Sequence, residues 1–441
     1  MPPQSAKDIL LAKIADRSAR VGVVGLGYTG LPLLVEFARA GYCTVGIDLD
    51  SRRCDEINRG QSFTSDIPSG VLGALVAEGK ISATTDYAAV RELDAAIICV
   101  PTPLGKAKDP DISYIVSATD SLGPHLHPGL LVVLESTTYP GTTEEIVLPR
   151  LRANGHTVGT DLFLGYSPER VDPGNPTFGT RNTPKVVAGL TADCREVVVA
   201  LYETVVDTVV PVSSPSTAEM TKILENTFRA VNIGLANEFA VICERLGIDV
   251  WEVVAAAKTK PFGFMPFYPG PGLGGHCIPI DPLYLTWKMR SLGQQTRFIE
   301  LADTVNSSMP QYVVGRLADA LNDEEKPIRG RRILVLGVAY KGDVADLRES
   351  PAIEIIQALC QRGALVEYSD PYIPELVLLN GDRLQSVPLS APVLQWADCV
   401  LVHTAHRAFD WQFVADNARL VFDARNAMAG VKGGRCRIVR L

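Results

Sequence analysis

The run VGVVGLGYTG, residues 21–30, constrains this chain more than any other stretch. A short β-branched apolar segment ends in glycines spaced G-x-G-x-x-G: Gly25, Gly27 and Gly30. A helical pattern, LPLLVEFARAG, follows, and then a second strand, CTVGID, reaching Asp48 23 residues after Gly25. Strand, glycine turn, helix, strand and acid is the order a dinucleotide-binding unit requires. In such a unit Gly25 allows the tight turn, Gly27 lets the backbone approach a pyrophosphate, and Gly30 lets the helix pack closely on the strand. The pyrophosphate sits at the helix N-terminus, where unpaired N–H groups and the macrodipole favour anions. Asp48 accepts the ribose 2′-OH and repels a 2′-phosphate, so NAD is favoured over NADP. Arg52 and Arg53 could accommodate a phosphate instead, but the acid already occupies the reading position. The cofactor-facing set is therefore Gly25, Gly27, Tyr28, Gly30, Asp48 and Arg53. Pro101 and Thr102 of VPTP and Thr137 of ESTTYPGT join it from loops after later strands.

Further strand patterns at AAIICV (95–100), LLVVLES (130–136) and KVVAG (185–189) alternate with helical ones. That alternation predicts a mostly parallel, doubly wound sheet over roughly residues 15–210. The next segment is helical. Ser216 and Glu219 have the spacing of a capping box, and apolar residues at 220, 223, 224, 228, 231, 235, 239, 242 and 246 keep a near-helical period. Gly247 is the expected stop. A helix over 216–246 spans about 46 Å at ~1.5 Å per residue, long enough for a spine between two lobes and for a dimer surface. After a charged linker, NDEEKPIRG (322–330), come RRILVLGVAYKG, ALVEYSDP, ADCVLVHTAH and LVFDARN, four more strand signals of a second α/β unit. GVAYKG is not G-x-G-x-x-G, so a second dinucleotide is not implied. The fold class expected is α/β, two Rossmann-like doubly wound domains joined by a long central helix. The divisions are 1–212 (NAD-binding), 213–321 (central) and 322–441 (C-terminal).

Composition narrows the functions. A chain of 441 residues with 46% hydrophobic and 21% charged residues fits a globular enzyme. A formal charge of −8 gives no basic footprint for nucleic acid, and no run approaches the roughly 18 apolar residues of a membrane span. Nine cysteines without C-x-x-C pairs and an N-terminus without an apolar core predict reduced thiols and a cytoplasmic location.

Chemistry concentrates in GPGLGGHCIPIDPLYLTW, residues 270–287. Its glycines let backbone approach a ligand. If a helix begins at Cys277, the thiol sits at a positive helix end, which favours the thiolate. Asp281, at i+4, would share its face. The alternative is a small buried hydrophobe in a tight turn. Lys222 and Asn226 repeat the i, i+4 spacing on the long helix. A cation and an amide donor there suit a developing oxyanion, unless both are solvated. Glu169, in YSPERVDPGN, is an acid in a loop after another strand-like run. His403 and His406 of HTAH lack an evident third ligand, so no metal is expected.

GLGYTG, VPTP, EST, YSPER, K-x-x-x-N (Lys222, Asn226), GGHCIPID and YKGDVADLRESP occur in order over nearly the whole chain. Together they resemble the UDP-glucose/GDP-mannose dehydrogenase family, the nucleotide-sugar 6-dehydrogenases. The resemblance implies an N-terminal NAD domain, a long connecting helix, a C-terminal domain that grips the nucleotide diphosphate, and a homodimer or larger assembly through the central helix. It also implies oxidation of the C6 alcohol to an aldehyde, attack by Cys277, a second hydride transfer from the thiohemiacetal, and hydrolysis of a thioester. On that pattern Lys222 and Asn226 stabilise the substrate oxygen, Asp281 and Thr137 handle water and protons, and Glu169 is the base for hydrolysis. Arg170, Gly274, Lys341 and Arg348 join Glu169, Lys222 and Asn226 around a UDP-sugar. Enzymes acting on UDP-glucose carry PEFLREG-like and GGSCF text. PERVDPGN and GGHCIPID here look like the UDP-N-acetylglucosamine branch, with the N-acetylmannosamine, N-acetylgalactosamine and glucose enzymes as alternatives. A one-step β-hydroxyacid dehydrogenase would need neither Cys277 nor a third domain. A non-catalytic nucleotide-sugar-binding regulator would have no use for the retained Cys277, Lys222, Asn226 and Asp281.

Overall fold

A computed structural model describes residues 5–64, 66–105, 108–172, 174–175 and 177–441. Pro173 of the PERVDPGN run and the first four residues lie outside it. Two compact units, residues 1–225 and 226–441, divide within one helix, Pro215–Leu246.

The N-terminal unit is built on eight strands: β1 (Arg20–Val24), β2 (Cys43–Ile47), β3 (Ile81–Thr84), β4 (Ala95–Ile98), β5 (Leu131–Leu134), β6 (Phe163–Tyr166), β7 (Lys185–Gly189) and β8 (Val209–Pro211). Their order is β3-β2-β1-β4-β5-β6-β7-β8. The first six follow the dinucleotide-binding order 3-2-1-4-5-6, with the crossing point between β1 and β4. All pair in parallel except β6 with β7. Val21, Val23, Ile97, Ile98, Val132 and Val133 are fully buried, as expected of parallel strands covered on both faces. Burying each such side chain is worth about 1.5–3 kcal/mol.

The C-terminal unit carries β9 (Arg332–Leu336), β10 (Leu365–Ser369), β11 (Glu375–Val377), β12 (Arg383–Gln385), β13 (Cys399–Val402), β14 (Leu420–Asp423) and β15 (Arg437–Arg440). Its main sheet, β10-β9-β13-β14-β15, is wholly parallel, and β11 and β12 form a separate hairpin. Along β9, Ile333 and Val335 face one core while Leu334 and Leu336 face another. The strand is thus apolar on both faces, as its sequence reads. Both units are Rossmann-like and α/β, and the helix Pro215–Leu246 runs for 32 residues. Gly247, at φ +69°, ends it in the left-handed conformation. Among the described residues no helix is long and apolar enough to cross a membrane.

The capping box expected of Ser216 and Glu219 does not form. The helix starts one residue earlier, at Pro215, and Ser214 Oγ accepts the Thr217 N–H at 3.2 Å. Glu219, buried, turns away from its own helix and accepts from Gly141 N, Thr143 N and Thr143 Oγ1 at 2.5, 2.9 and 2.7 Å. Three donors in the loop after β5 outcompete one backbone amide of its own helix.

The glycines of the first turn divide by the room around them. At Gly30 a Cβ would stand 1.9 Å from the Gly25 carbonyl oxygen, whereas at Gly27 nothing lies within 4 Å. Gly30→Ala is therefore expected to cost about 1–3 kcal/mol of unfolding free energy through overpacking. Gly27→Ala should stay within about 0.5 kcal/mol of the parent. Urea denaturation of the two variants checks the difference.

Candidate active site

In the N-terminal unit the site groups gather at the carboxyl ends of the strands. Gly25 takes φ +91°, and a Cβ there would meet the Cys99 carbonyl oxygen at 2.7 Å. The turn after β1 thus presses on the end of β4. Gly27 has open space where a side chain would be, the cradle a pyrophosphate needs. The helix Gly30–Arg39 starts beyond it, its Leu31 N–H donating to the Gly27 carbonyl at 3.1 Å. Asp48 closes the turn from β2. Its Oδ2 accepts the Leu26 N–H at 2.8 Å and its Oδ1 the Asp50 N–H at 2.9 Å. Arg53 lies 3.4 Å from Asp48 Oδ2, while Arg52 turns away to Asp50. The residues fit NAD: open glycine, helix N-terminus and an acid after β2. Tyr28 and Pro101 are exposed and Thr102 is buried nearby in the chain after β4.

Thr137, after β5, accepts a 2.5 Å hydrogen bond from Lys222 Nζ on the long helix, and Lys222 is buried. Glu169, after β6, uses Oε1 to accept the N–H groups of Arg170 and Val171, each at 2.7 Å. Its Oε2 is 3.5 Å from Lys185 Nζ at the start of β7. Burial pushes the Glu169 carboxyl up, but the Lys185 ammonium, the Val171 N–H, the Lys222 ammonium and the Arg170 N–H outweigh it and hold it below the usual carboxylate range. Arg170 itself is taken up by Glu225, at 3.1 and 2.6 Å, and by the Pro184 carbonyl at 2.6 Å.

In the C-terminal unit Cys277 is exposed. The loop before it is fastened at both ends. Asn237, buried on the long helix, accepts the Gly270 N–H at 2.9 Å and donates to Asn306 at 2.9 Å. Gly275 donates to the Arg348 carbonyl at 2.9 Å. Between them a Cβ on Gly274 would meet Tyr340 Cβ at 2.7 Å and the Glu349 carbonyl at 2.9 Å. One on Gly275, at φ +82°, would strike the Tyr340 ring at 2.7 Å. The glycines lay this loop flat on the segment YKGDVADLRESP, and no larger residue fits.

The helix here begins at Asp281 rather than Cys277. Pro279 has no N–H to give and Pro282 suits the first turn, so Cys277 lies in the preceding turn. Its carbonyl accepts the Asp281 N–H at 2.8 Å and the Ile280 N–H at 3.2 Å. Asp281 is fully buried and accepts from Asn226 Nδ2 at 2.6 Å. Arg348 pairs with Asp346 at 2.7–3.1 Å. That pairing raises the guanidinium's pKa against the cost of burial, and the Cys277 sulfur and Tyr340 phenol add to it. Lys341 is half-buried in the loop after β9.

The HTAH histidines are held by the fold. His406 Nε2 donates to Asp370 at 3.0 Å while its Nδ1 accepts the Asp343 N–H at 2.9 Å. His403 Nδ1 meets Thr404 Oγ1 at 2.8 Å. Burial, then the Arg425 cation, lower the His403 pKa to about 3. Asp370, after β10, holds the Val338 N–H at 2.7 Å much as Asp48 holds Leu26.

Sequence reasoning passed over Glu135 and Lys185. Each bounds a strand pattern otherwise wholly apolar, and a charge there has to be paired. Lys185 Nζ lies 3.2 Å from Glu135 Oε2, and the Tyr202 hydroxyl bonds Glu135 Oε1.

The chain matches three models of the UDP-glucose/GDP-mannose dehydrogenase family: the NAD binding domain over residues 19–206, the central domain over 216–308 and the UDP binding domain over 334–430. It is 35% identical over 418 residues to a UDP-N-acetyl-D-glucosamine 6-dehydrogenase of Pseudomonas aeruginosa, covering 94% of this chain and 97% of the relative. It is 36% identical over 399 residues to an NDP-N-acetyl-D-galactosaminuronic acid dehydrogenase of Ralstonia nicotianae, covering 88% and 91%. The UDP-D-ManNAc dehydrogenase structure from Pyrococcus horikoshii superposes with a TM-score of 0.86 at 31% identity, covering 95% of this chain and 99% of that one. A glycine turn built for NAD, and family matches that run almost from end to end, place this chain in the UDP-glucose/GDP-mannose dehydrogenase family of NAD-dependent nucleotide-sugar dehydrogenases.

Proposed function

We propose that this enzyme oxidises the C6 hydroxyl of UDP-N-acetylglucosamine to the uronic acid, through a thiohemiacetal and a thioester on Cys277. The observation that carries this reading is an exposed Cys277 thiol on a glycine loop packed closely against Tyr340, with a buried Asn226–Asp281 pair in the same unit. NAD, when bound, accepts a hydride in each of two oxidations, so one product accounts for two NADH. Gly27 and the helix Gly30–Arg39 would hold its pyrophosphate and Asp48 its ribose.

The chain's own groups do the remainder. Lys222, hydrogen-bonded to Thr137, presents a cation to the substrate oxygen as the C6 hydroxyl loses its proton, and again when the thiohemiacetal forms. Cys277 Sγ bonds to the aldehyde carbon and the carbonyl oxygen takes a proton. The second oxidation leaves a thioester. Glu169, ionised, takes a proton from the attacking water. The C–S bond breaks, the carboxylate leaves and the thiol is restored. Asn226 and Asp281 orient water and the substrate oxygen. Arg170, Gly274, Lys341 and Arg348 face the UDP-sugar. The uronate serves surface polysaccharide synthesis, and the use of NAD and a nucleotide sugar suits the cytoplasm. The GGHCIPID form of the cysteine loop, together with the 35% identity to the UDP-N-acetyl-D-glucosamine enzyme, supports the choice of sugar.

A homodimer forms through the long helix in this reading. Phe228, Leu235, Phe239, Ile242 and Leu246 are exposed on it at spacings of seven, four, three and four, an apolar stripe of the kind that marks an interface. Phe239→Asp is expected to give a monomer by light scattering, from a dimeric or larger parent. A parent that is already monomeric contradicts the stripe's role.

Product analysis on a panel of UDP-hexoses and UDP-N-acetylhexosamines tests the reaction. UDP-N-acetylglucosamine should be oxidised fastest, with two NADH per uronate. A faster N-acetylmannosamine, N-acetylgalactosamine or glucose substrate reassigns the sugar, one NADH per product removes the four-electron reaction, and no NADH at all indicates a regulator. Cys277→Ser should lower acid formation by at least about 10³-fold while NAD affinity changes by less than about twofold.

A further inference from the structure

The antiparallel pairing of β6 with β7 brings the start of β7 beside the loop that follows β6. Tyr166 and Ala188 are register partners, and Ser167 Oγ donates to the Val186 carbonyl at 2.9 Å. Glu169, two residues on, therefore faces Lys185. Lys185 is 4% exposed and Glu135 1%. The ammonium stands 3.2 Å from Glu135 Oε2 and 3.5 Å from Glu169 Oε2, over the Tyr202 ring. We infer that Lys185 is a positioning residue, a buried cation that holds Glu169 ionised and aimed for proton transfer in the hydrolytic step. The inference rests on the reading of Glu169 as that step's base.

The two carboxylates differ in their surroundings. Glu135 is buried with Tyr202 and Lys185 as its partners, and burial pushes its carboxyl up despite the cation. Glu169 has the Arg170 and Val171 N–H groups on one oxygen and Lys185 on the other, with Lys222 near. An ion pair of Lys185 with Glu135 alone would complete the core. The ammonium's second carboxylate, on a loop at the sheet's carboxyl edge, is what ties the core to the site. Removing a buried cation leaves its partners uncompensated, so their carboxyls are driven toward the neutral form. A base that must be ionised at rest then loses activity as pH falls through a raised pKa.

The test follows Glu169 directly in the NAD-bound enzyme. The side-chain carboxyl resonance of ¹³C-labelled glutamate, assigned by its loss in Glu169→Gln, is titrated in parent and variants alongside the pH dependence of kcat. In Lys185→Met the Glu169 midpoint and the acid limb of kcat should both rise by at least about one unit, a tenfold change in proton concentration. Lys185→Arg should keep the parent values. Because Lys185→Met strands Glu135 as well, Glu135→Gln with Lys185→Met serves as the charge-relieved variant, and the same rise is expected. A folded Lys185→Met enzyme whose Glu169 midpoint stays at the parent value overturns the assignment of Lys185 alone. A Glu169→Gln enzyme that forms uronate at the parent rate instead removes Glu169 from the reaction, and the inference falls with it.

Discussion

The candidate chemistry of the C-terminal unit depends on how the loop 270–277 is held down. Glycine is required at 274 and 275 because Tyr340 and the backbone at Glu349 occupy the space a Cβ would need. The Gly270 amide is fixed by buried Asn237, and the Gly275 amide by the Arg348 carbonyl. A loop of glycines and prolines is commonly thought mobile. Here one hydrogen bond to a side chain, one to the backbone and a tyrosine face define its path, and the thiol emerges exposed one turn ahead of a helix. An unmade bond at a buried amide costs about 1–3 kcal/mol, so the Asn237–Asn306 pair supports the loop from beneath. In the proposed reaction, a loop fixed ahead of time would let the thiol meet a carbonyl carbon without being ordered at that moment.

The two parallel sheets use one local device for different ends. After the first strand of each, backbone amides donate to an aspartate at the end of the neighbouring strand: Leu26 to Asp48, Val338 and Ala339 to Asp370. Asp48 stands beside an open glycine and one arginine. Asp370 also holds His406 and the Tyr372 and Ile373 amides, so its carboxylate is spent on the fold. In the proposed reading one sheet keeps its acid for a ribose, while the other uses its acid to organise the loop from which Tyr340 reaches the cysteine segment.

The sequence made the strands of both sheets legible wherever apolar β-branched runs were long: β1, β2, β4, β5, β7, β9 and β13. It concealed β3, β8 and β15, which are short, polar or at sheet edges, where burial no longer writes a pattern. Lys222 bonds Thr137 and Asn226 bonds Asp281, pairings between segments remote in sequence that no local spacing specified. The helix start at Asp281 was obscured because prolines permit both readings, and the Ser216–Glu219 spacing misled because a loop remote in sequence offered Glu219 more donors. Lys185 was hidden for the opposite reason. Its strand reads as pure core, and only the antiparallel turn of β6 against β7, which local pattern does not encode, reveals what the charge is for.

Covalent chemistry at one sulfur is the centre of the proposal, and the most direct measurement is the mass of the intact enzyme, quenched during turnover of UDP-N-acetylglucosamine with NAD. An added mass equal to one UDP-N-acetylglucosaminuronyl group, mapping to the peptide that carries Cys277 and chased away on further incubation, is the expected result. Full turnover with no adduct on that peptide at any quench time would contradict it.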